Sequence, residues 1–408
     1  MPAKIGVLFL QSQGYFGADS QIHSLLMKHL DRERYSVHVA CNPGTRSDPS
    51  PAWQALSEID GISLLPTNFG PSVFAATRIN QLRAVLGSGK AVVDFPRLLL
   101  YIRRHNIRII HGTEKPRDVL WNLALSRLTG AKSIVHLHVK CHDRLTSRAR
   151  VGLSKANAVM CISDFVADSV VEAGYEKRRV FVVKNGLDVD DWEPALDGNI
   201  RTEFEIAPSQ PIVLVASRLF AWKGHRDLVR AFAIAHREAE SPVLMVVGAD
   251  DPRAHPGGGS FRAELEATVA ELGIAGSVIF TGFRSDIREL MAACDIFAMP
   301  SFEEPFGMVY LEAMAMERPV VALDNGGAKE VIDNGGSGLL SAPGDVDALA
   351  GNLVTLLRSP SLRQRMGEHG RRRVKERFSA EGMARNAEGV YEQLLVSQLA
   401  TVKKVELT

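Results

Sequence analysis

Two acidic residues, one expected on a loop and one on a helix, are the most informative chemical groups in this sequence. Residues 295–315 predict a buried strand, a loop that carries Glu304, and a helix that starts near Met308 and contains Glu312. Carboxylates accept hydrogen bonds from hydroxyl groups, which ribose and hexoses offer in quantity. The amides that open the helix, near Gly307, suit an anion such as a phosphate. Taken alone, the two carboxylates have an alternative explanation, in which Glu304 is a helix-terminal charge and Glu312 a solvated residue.

A second loop carries two basic residues at the end of another predicted strand. The strand ends at Ala216 and a helix begins near Gly224, so Arg218 and Lys223 project from the loop between them. A planar guanidinium and a mobile ammonium at this point suit the binding of a diphosphate and the stabilisation of its charge as a bond to it breaks. Surface charge is the alternative for either residue alone.

The elements that position these loops follow an alternation of short β-branched runs and longer helical patterns. This alternation predicts an α/β protein with two successive doubly wound parallel sheets. The predicted strands include residues 4–10, 36–40, 107–111, 133–138, 158–162, 180–183, 211–216, 242–247, 277–281, 295–300 and 319–323. In open α/β sheets ligands bind beyond the carboxyl ends of the strands, so we expect two Rossmann-like domains that face each other across a cleft.

The domain limits follow from a composition shift and from the last helical patterns. The stretch that follows Asn185-Gly186 is acidic and contains prolines, which is typical of a linker. Helical patterns dominate after residue 345, and no further strand is predicted. The predicted organisation is an N-terminal domain 1–187, a linker 188–210, a C-terminal domain 211–378 and a final helical segment 379–408.

Length and composition limit the class of protein. The 408 residues include 48 Lys and Arg against 47 Asp and Glu, and 46% are hydrophobic, which excludes a disordered chain, a collagen-like chain and a disulfide scaffold. The four cysteines are scattered singly and predict reduced, mostly buried thiols. The first residues lead directly into a strand-like run too short for a signal segment, and a cytoplasmic location is therefore predicted.

Together, the loops resemble those of the retaining glycosyltransferases of family 4, which have the GT-B fold. The resemblance rests on the spacing Glu304-x7-Glu312 within Ser-Phe-Glu-Glu-Pro-Phe-Gly-Met-Val, preceded by Ser-Arg-Leu-x3-Lys-Gly. It extends over most of the chain, through residues 156–163, 182–188 and 326–332. The resemblance also implies that the final helix crosses back onto the N-terminal domain.

The resemblance implies a nucleotide diphosphate sugar as donor and assigns a role to each charged residue. Arg218 and Lys223 would contact the donor diphosphate. Glu312 would bind the ribose hydroxyls, and Glu304 would bind the hydroxyls of the transferred sugar. The remaining donor-binding positions are implied to act through the backbone or beside the base: Phe306, Gly307, Met308 and Val309 against sugar and phosphate, and Gly282 and Phe283 against the base.

The N-terminal domain contributes a glycine and a histidine. Family members usually carry adjacent glycines in the first loop, whereas Gly14 and Gly17 are separated here, and Gly17 is the candidate for close approach to the donor. His138 resembles the histidine that lies beside the sugar in the family. A core histidine is one alternative, and a metal site made of His136, His138, Cys141 and His142 is another.

The resulting hypothesis is a retaining, hexosyltransferase-type enzyme of polysaccharide biosynthesis that moves a sugar to a hydroxyl acceptor. No cofactor and no bound metal are expected, because Arg218, Lys223 and the helix start would stabilise the leaving diphosphate. A sugar-nucleotide epimerase or hydrolase and a non-catalytic binding protein of the same fold remain as alternatives. Gly87–Lys90 is similar to a phosphate-binding loop, and Asp188-x-Asp190 is similar to a metal-binding motif. In neither case do the surrounding residues match the motif.

The near-neutral net charge conceals two oppositely charged halves. Residues 1–190 hold 25 Lys and Arg against 16 Asp and Glu, and the rest of the chain holds 23 against 31. Most of the excess lies in 97–155, where 13 basic residues face three acidic ones. A solvated charge run is one explanation. The other is peripheral docking on an anionic membrane or on a phosphate-bearing lipid acceptor; no nucleic-acid partner is predicted.

Overall fold

The protein consists of two compact units. The structure is a computed structural model that describes residues 3–45, 47–70, 78–142, 145–194, 199–251 and 259–405, and the side chains of these residues except 78–88 and 397–405. The first unit comprises Met1–Gly186 and Ala380–Thr408, and the second comprises Leu187–Ser379.

A seven-stranded parallel sheet forms the first unit. Its strands are β1 (Ile5–Gln11), β2 (Tyr35–Cys41), β3 (Ile62–Pro66), β4 (Ile107–Thr113), β5 (Lys132–Leu137), β6 (Ala158–Cys161) and β7 (Val180–Val182), in the order β3-β2-β1-β4-β5-β6-β7. Its helices are α1 (Ala18–His29), α2 (Pro51–Ser57), α3 (Arg78–Arg104), α4 (Pro116–Thr129), α5 (Ser147–Lys155), α6 (Asp164–Glu172) and the last helix of the chain, α15 (Ala380–Val405).

The centre of this sheet is buried on both faces. Val7, Leu8, Phe9 and Leu10 of β1 have no exposed surface, as expected for a parallel strand covered by helices on either side. The strand order reverses between β1 and β4, and the loops that follow these two strands lie at the edge where open α/β sheets bind ligands.

A six-stranded parallel sheet forms the second unit. Its strands are β8 (Ile212–Ala216), β9 (Val243–Val247), β10 (Val278–Gly282), β11 (Ile296–Ala298), β12 (Val320–Leu323) and β13 (Gly338–Ser341), in the order β10-β9-β8-β11-β12-β13. Its helices are α7 (Ile200–Glu203), α8 (His225–Glu238), α9 (Phe261–Glu271), α10 (Ile287–Ala293), α11 (Met308–Ala315), α12 (Ala328–Val331), α13 (Val346–Leu357) and α14 (Pro360–Arg377). Here the order reverses between β8 and β11, which precede the two loops singled out above.

The two doubly wound parallel sheets predicted from the sequence are confirmed. Strands β3 and β13 were not among the predicted runs. Residues 188–210, for which the sequence predicts a linker, fall within the second unit, where Arg201 donates a hydrogen bond to Asp295 at 3.1 Å. The phosphate-loop imitation at 87–90 lies inside helix α3, so its backbone is helical rather than looped.

Two further sequence predictions concern the thiols and the membrane. All four cysteines are free thiols, three of them buried, as predicted. Among the residues that the structure describes, none of the helices combines the length and apolar character that a bilayer crossing needs.

Candidate functional site

The loops after β8 and β11 pack tightly against each other. Gly224, between the turn Ala221–Lys223 and helix α8, has φ +78°, and a Cβ placed there would lie 2.0 Å from the carbonyl oxygen of Pro300. Only glycine meets both conditions, the left-handed backbone and the close approach. The basic loop is therefore fixed against the acidic loop by its own backbone.

Lys223 and Glu304 form an ion pair between these two loops. Lys223 Nζ donates a hydrogen bond to Glu304 Oε2 at 2.7 Å, and the two side chains are only 14% and 10% exposed. Lys223 Nζ also lies 4.1 Å from the centre of the Trp222 ring, a cation–π contact. The lysine predicted for the diphosphate and the carboxylate predicted for the sugar are thus each other's partners.

A glycine pair after β12 holds the Glu304 loop in place. The amide of Gly327 donates to the carbonyl of Glu304 at 2.7 Å. A Cβ on Gly326 would lie 2.6 Å from that same carbonyl oxygen, and a Cβ on Gly327 would lie 2.5 Å from the carbonyl oxygen of Pro305. The loop therefore lies directly on the backbone of these glycines, which fixes the position of the Glu304 side chain.

Helix α11 begins immediately after this loop. Gly307, its N-cap, has φ +92°, and a Cβ there would lie 2.3 Å from the Tyr310 ring. The Phe306 side chain is buried against Phe378, so only its backbone could meet a ligand. The amides of Met308 and Val309 open the helix, where the chain offers no intrahelical acceptor and the helix dipole favours an anion.

Glu312 lies one turn into α11, as predicted, and is half-buried. Burial raises the pKa of this carboxyl to about 7, and the nearby Arg288 partly opposes the shift. Burial thus opposes ionisation of this carboxyl, and a group that donates hydrogen bonds to it would favour the ionised form.

Arg218 is exposed and is held by a different acid. Its Nη1 donates to Asp251 Oδ2 at 2.8 Å, and its guanidinium lies 5.4 Å from the centre of the Phe220 ring. The structure confirms the sequence prediction that Arg218 and Lys223 lie on one loop. Nothing in the sequence indicates that Asp251 is the partner of Arg218. Asp251 follows the neighbouring strand β9 at the same edge of the sheet.

The turn after β10 presents an exposed aromatic ring. Gly282 has φ +74°, its carbonyl accepts from the Gly248 amide at 2.8 Å, and the Phe283 side chain is 79% exposed. Gly248 in turn has no room for a side chain, because a Cβ there would lie 1.9 Å from the carbonyl of Ser217. An exposed ring next to the strand ends could stack on a base.

In the first unit, Gly17 caps the helix that follows β1. Its backbone is extended, and a Cβ there would lie 3.0 Å from the Tyr15 ring and 3.2 Å from Asp19 Oδ1. Lys115, after β4, lies 3.0 Å from Glu114 Oε1 and 3.6 Å from Asp19 Oδ2. Sequence reasoning did not single out these three charged groups, because they converge only when β1 and β4 become neighbours.

Asp118 is a second group that sequence reasoning missed. It is buried at the start of α4, where it accepts hydrogen bonds from the Ser12 amide at 3.1 Å and the Thr113 hydroxyl at 2.7 Å. Burial raises the pKa of the Asp118 carboxyl to about 6. The carboxyl thereby ties the loops after β1 and β4 together at the point where the strand order reverses.

His138 follows the last residue of β5 and is half-buried. Burial and the neighbouring histidines lower its pKa well below the ordinary value, so the ring is neutral at pH 7. Its ring centre lies 4.3 Å from that of His136. The metal set His136, His138, Cys141 and His142, weighed as an alternative, is not the group that converges: the described side chains bring His136 together with His23 and His111 instead.

Comparison with known families gives two matches that together span most of the chain. The family model described as Glycosyl transferases group 1 matches residues 197–373, and the model described as Glycosyltransferase Family 4 matches residues 24–191.

Individual relatives include two bacterial enzymes. The GDP-mannose-dependent alpha-(1-6)-phosphatidylinositol monomannoside mannosyltransferase of Mycolicibacterium smegmatis is 30% identical over 293 residues, which are 67% of this chain and 74% of that protein. The N-acetyl-alpha-D-glucosaminyl L-malate synthase of Bacillus anthracis is 28% identical over 251 residues, which are 62% of this chain and 63% of that protein. The chain thus aligns with less than two thirds of the length of the Bacillus anthracis protein.

Solved structures of the same fold cover nearly the whole chain. Anabaena Alr3699/HepE in complex with UDP superposes with a TM-score of 0.76 at 24% identity, over 95% of this chain and 100% of that chain. Sucrose-phosphate synthase from Thermosynechococcus elongatus superposes with a TM-score of 0.73 at 21% identity, over 97% of this chain and 100% of that chain. These likenesses confirm the GT-B fold predicted from the sequence.

Proposed function

Because the chain belongs to glycosyltransferase family 4, we propose that it transfers a sugar from a nucleotide diphosphate sugar to a hydroxyl acceptor, with retained anomeric configuration and no bound metal. The observation that carries the proposal is the Lys223–Glu304 pair, held at the strand-order reversal of the second unit and followed by the start of helix α11. A cation, an anion-binding helix start and a hydroxyl-binding carboxylate are what a sugar diphosphate requires.

The donor diphosphate would bind Lys223 and the first amides of α11. The exposed side chain of Arg218 would also bind the diphosphate, by exchanging its ion pair with Asp251 for one with a phosphate. Glu312 would accept hydrogen bonds from the ribose hydroxyls, and the exposed ring of Phe283 would stack on the base.

Transfer breaks the bond between the anomeric carbon and the β-phosphate oxygen, and the electron pair leaves with the diphosphate. The acceptor oxygen forms the new bond on the same face, and its proton passes to the departing phosphate oxygen. Lys223, Arg218 and the helix start would stabilise the charge that develops on the diphosphate. Glu304, released from Lys223, would hold the sugar hydroxyls. From the first unit, Gly17 and the neutral His138 are proposed to serve the same reaction.

The direct test is a thermal-shift screen of the full chain with UDP, GDP and ADP and their sugars. We expect one nucleotide to raise the melting temperature and Lys223→Ala to abolish the rise. If no nucleotide diphosphate shifts the transition at millimolar concentration, the proposal fails. Incubation of the bound donor without acceptor then separates the alternatives, because a hydrolase releases free sugar and an epimerase yields an isomeric donor.

The acceptor side is proposed to dock on an anionic membrane through the basic region 97–155. On α3, Val93, Arg97, Leu100 and Arg104 share one helical face, and all four are exposed. On helix α4, which packs against α3, Arg127 and Leu128 are also exposed and add one basic and one apolar side chain to this surface. Arg103 of α3 donates a hydrogen bond to the carbonyl of Leu128 at 3.1 Å. Alternating apolar and basic groups suit the surface of an anionic bilayer. Arg144, part of the same basic run, lies outside the described residues.

Sedimentation with phosphatidylglycerol vesicles tests the docking proposal. The wild type should bind at low salt and release at high salt, and the double variant Arg97→Glu/Arg104→Glu should not bind. Lys177→Glu, which removes another exposed basic residue of the first unit, should bind normally. Binding that is absent at low salt, or that salt leaves unchanged, would contradict the proposal.

A further inference from the structure

Three histidine side chains converge inside the first unit, next to His138. His23 lies on α1, His111 on β4 and His136 on the adjacent strand β5. Their exposed fractions are 1%, 0% and 0%. Each ring offers one nitrogen, and these three nitrogens all lie within 4.8 Å of one another.

We propose that His23 Nε2, His111 Nε2 and His136 Nδ1 bind one divalent transition-metal ion of the zinc type, which fixes helix α1 to strands β4 and β5. The proposed role of the ion is structural. Imidazole nitrogens suit zinc, copper and nickel, whereas magnesium and calcium require oxygen ligands that this site lacks.

Two of the three distances between the nitrogens match tetrahedral coordination. Zinc–nitrogen bonds of about 2.0–2.1 Å place two tetrahedral ligand nitrogens about 3.3 Å apart. His136 Nδ1 lies 3.3 Å from His23 Nε2 and 3.2 Å from His111 Nε2. Two edges of the ligand triangle therefore already have the length that a bound ion imposes.

Hydrogen bonding alone accounts for only one of these two contacts. A neutral imidazole has one N–H donor and one acceptor nitrogen, and the acceptor carries a single lone pair in the ring plane. His136 Nδ1 can therefore make one well-directed hydrogen bond, to His23 or to His111, but not both. A metal ion at the centre uses one lone pair from each ring and accounts for both short contacts together.

A hydrogen bond between His111 and Tyr391 orients one of the ligands. Tyr391 Oη lies 2.7 Å from His111 Nδ1, so a proton on Nδ1 can be donated to the tyrosine oxygen while Nε2 keeps its lone pair for the metal. His23 Nδ1 and His136 Nε2 have no hydrogen-bond partner among the described side chains. Only one of the three ligands thus has a hydrogen-bond partner for its other ring nitrogen among the described residues, and we expect weaker binding than at a thiolate site.

The fourth position has one candidate within the described residues. The His138 ring centre lies 4.3 Å from that of His136 and 5.6 Å from that of His23, and its Nε2 has no hydrogen-bond partner there. A water molecule is the other candidate. Neither is required for the three-histidine site to bind metal.

The test uses the full chain, stripped with EDTA, dialysed and loaded with ZnCl2. Wild type should retain about one zinc per chain by elemental analysis, and an excess of zinc near a hundred times the dissociation constant should raise the melting temperature by about 5 °C or more. Co²⁺ in place of zinc should give the visible absorption bands of a tetrahedral site. MgCl2 should have none of these effects.

Variants identify the ligands. His111→Gln and His136→Gln should lose the bound zinc, and Tyr391→Phe should weaken binding 10- to 100-fold. His38→Gln, which changes a buried histidine of the same unit bonded to Tyr101 and Ser36, should retain the metal. The proposal is overturned if wild type shows neither bound zinc nor a Co²⁺ spectrum, or if the two ligand variants bind as wild type does. The wild-type measurements decide the question even where a variant does not fold.

Discussion

Lys223 Nζ and Glu304 Oε2 lie 2.7 Å apart in a nearly buried ion pair that joins the loops after β8 and β11. The two residues are 81 positions apart in the chain, and the sheet brings them together because β8 and β11 are neighbours at the point where the strand order reverses. A sugar diphosphate offers a partner to each member of the pair. On our account, donor binding separates the pair and assigns the lysine to the diphosphate and the carboxylate to the sugar.

Removal of the lysine should slow the chemical step. We expect Lys223→Ala to lower turnover about a hundredfold, equivalent to roughly 3 kcal/mol of transition-state stabilisation, because the leaving diphosphate loses a charged hydrogen bond. Steady-state kinetics with circular dichroism as the check of folding measures this. Lys329→Ala, at an exposed lysine of α12 in the same unit, serves as control. Turnover within about threefold of wild type would remove Lys223 from the mechanism.

The glycine pair offers a purely steric test of the Glu304 loop. Gly327 has φ −77°, which any residue adopts, so Gly327→Ala acts only through its Cβ, 2.5 Å from the carbonyl of Pro305. We expect a loss of about 1–3 kcal/mol of unfolding free energy and at least a tenfold loss of turnover. Gly351→Ala, in α13 with nothing within 4 Å, should be neutral or stabilise by up to about 1 kcal/mol. Equal behaviour of the two variants would show that the close approach is unimportant.

The sequence predicts the positions of Glu304 on a loop and Glu312 on a helix correctly, because the signals for these elements are local. Pro305 and Gly307 determine where α11 begins, and therefore which acidic residue lies on the loop and which on the helix. The Lys223–Glu304 contact has no such local signal, because it forms only when β8 and β11 lie next to each other in the sheet.

Other features escaped prediction for related reasons. Strand β13 is a run of four residues, Gly-Leu-Leu-Ser, without a β-branched side chain, and β3 is a half-exposed edge strand that ends in Pro66. His23, His111 and His136 come from one helix and two strands, and each alone looks like an ordinary core histidine. Only the register of the sheet and the packing of α1 bring the three rings together.

Acid should destabilise the fold through buried His225. Burial lowers the pKa of His225 to about 4 from its ordinary 6.5, so the unfolded chain binds more protons than the folded one between these values. The unfolding free energy therefore falls as pH falls through this window, by about 3 kcal/mol for this group. Denaturant unfolding at pH 7 and pH 4 should show a smaller difference for His225→Gln than for wild type.

A matched variant separates titration from hydrogen bonding at this histidine. His225 Nε2 lies 3.2 Å from Ser217 Oγ, and Ser217→Ala removes that contact while keeping the titrating ring. It should lower stability at both pH values and leave the wild-type pH dependence in place. If His225→Gln and wild type lose the same stability on acidification, the buried ring does not carry the effect.

Transfer should not depend on a divalent metal at the donor. With Lys223, Arg218 and the start of α11 as the proposed partners of the diphosphate, we expect the rate at 25 °C to stay within about twofold when EDTA replaces MgCl2 or MnCl2. A loss of more than tenfold that Mg²⁺ restores would contradict this mechanism. A loss that only Zn²⁺ restores, with a lowered melting temperature, would instead report on the histidine site.

Calorimetric titration of Glu304→Gln with a nucleoside diphosphate and with its sugar conjugate measures how the donor is divided between Lys223 and Glu304. We expect the variant to bind the diphosphate as tightly as wild type or more tightly, because Lys223 is released from its partner. We also expect weaker binding of the sugar conjugate and loss of transfer, while Glu271→Gln, at an exposed acid of α9, should behave as wild type. Equal weakening of both ligands by Glu304→Gln, or normal transfer, would contradict the division of the donor between Lys223 and Glu304.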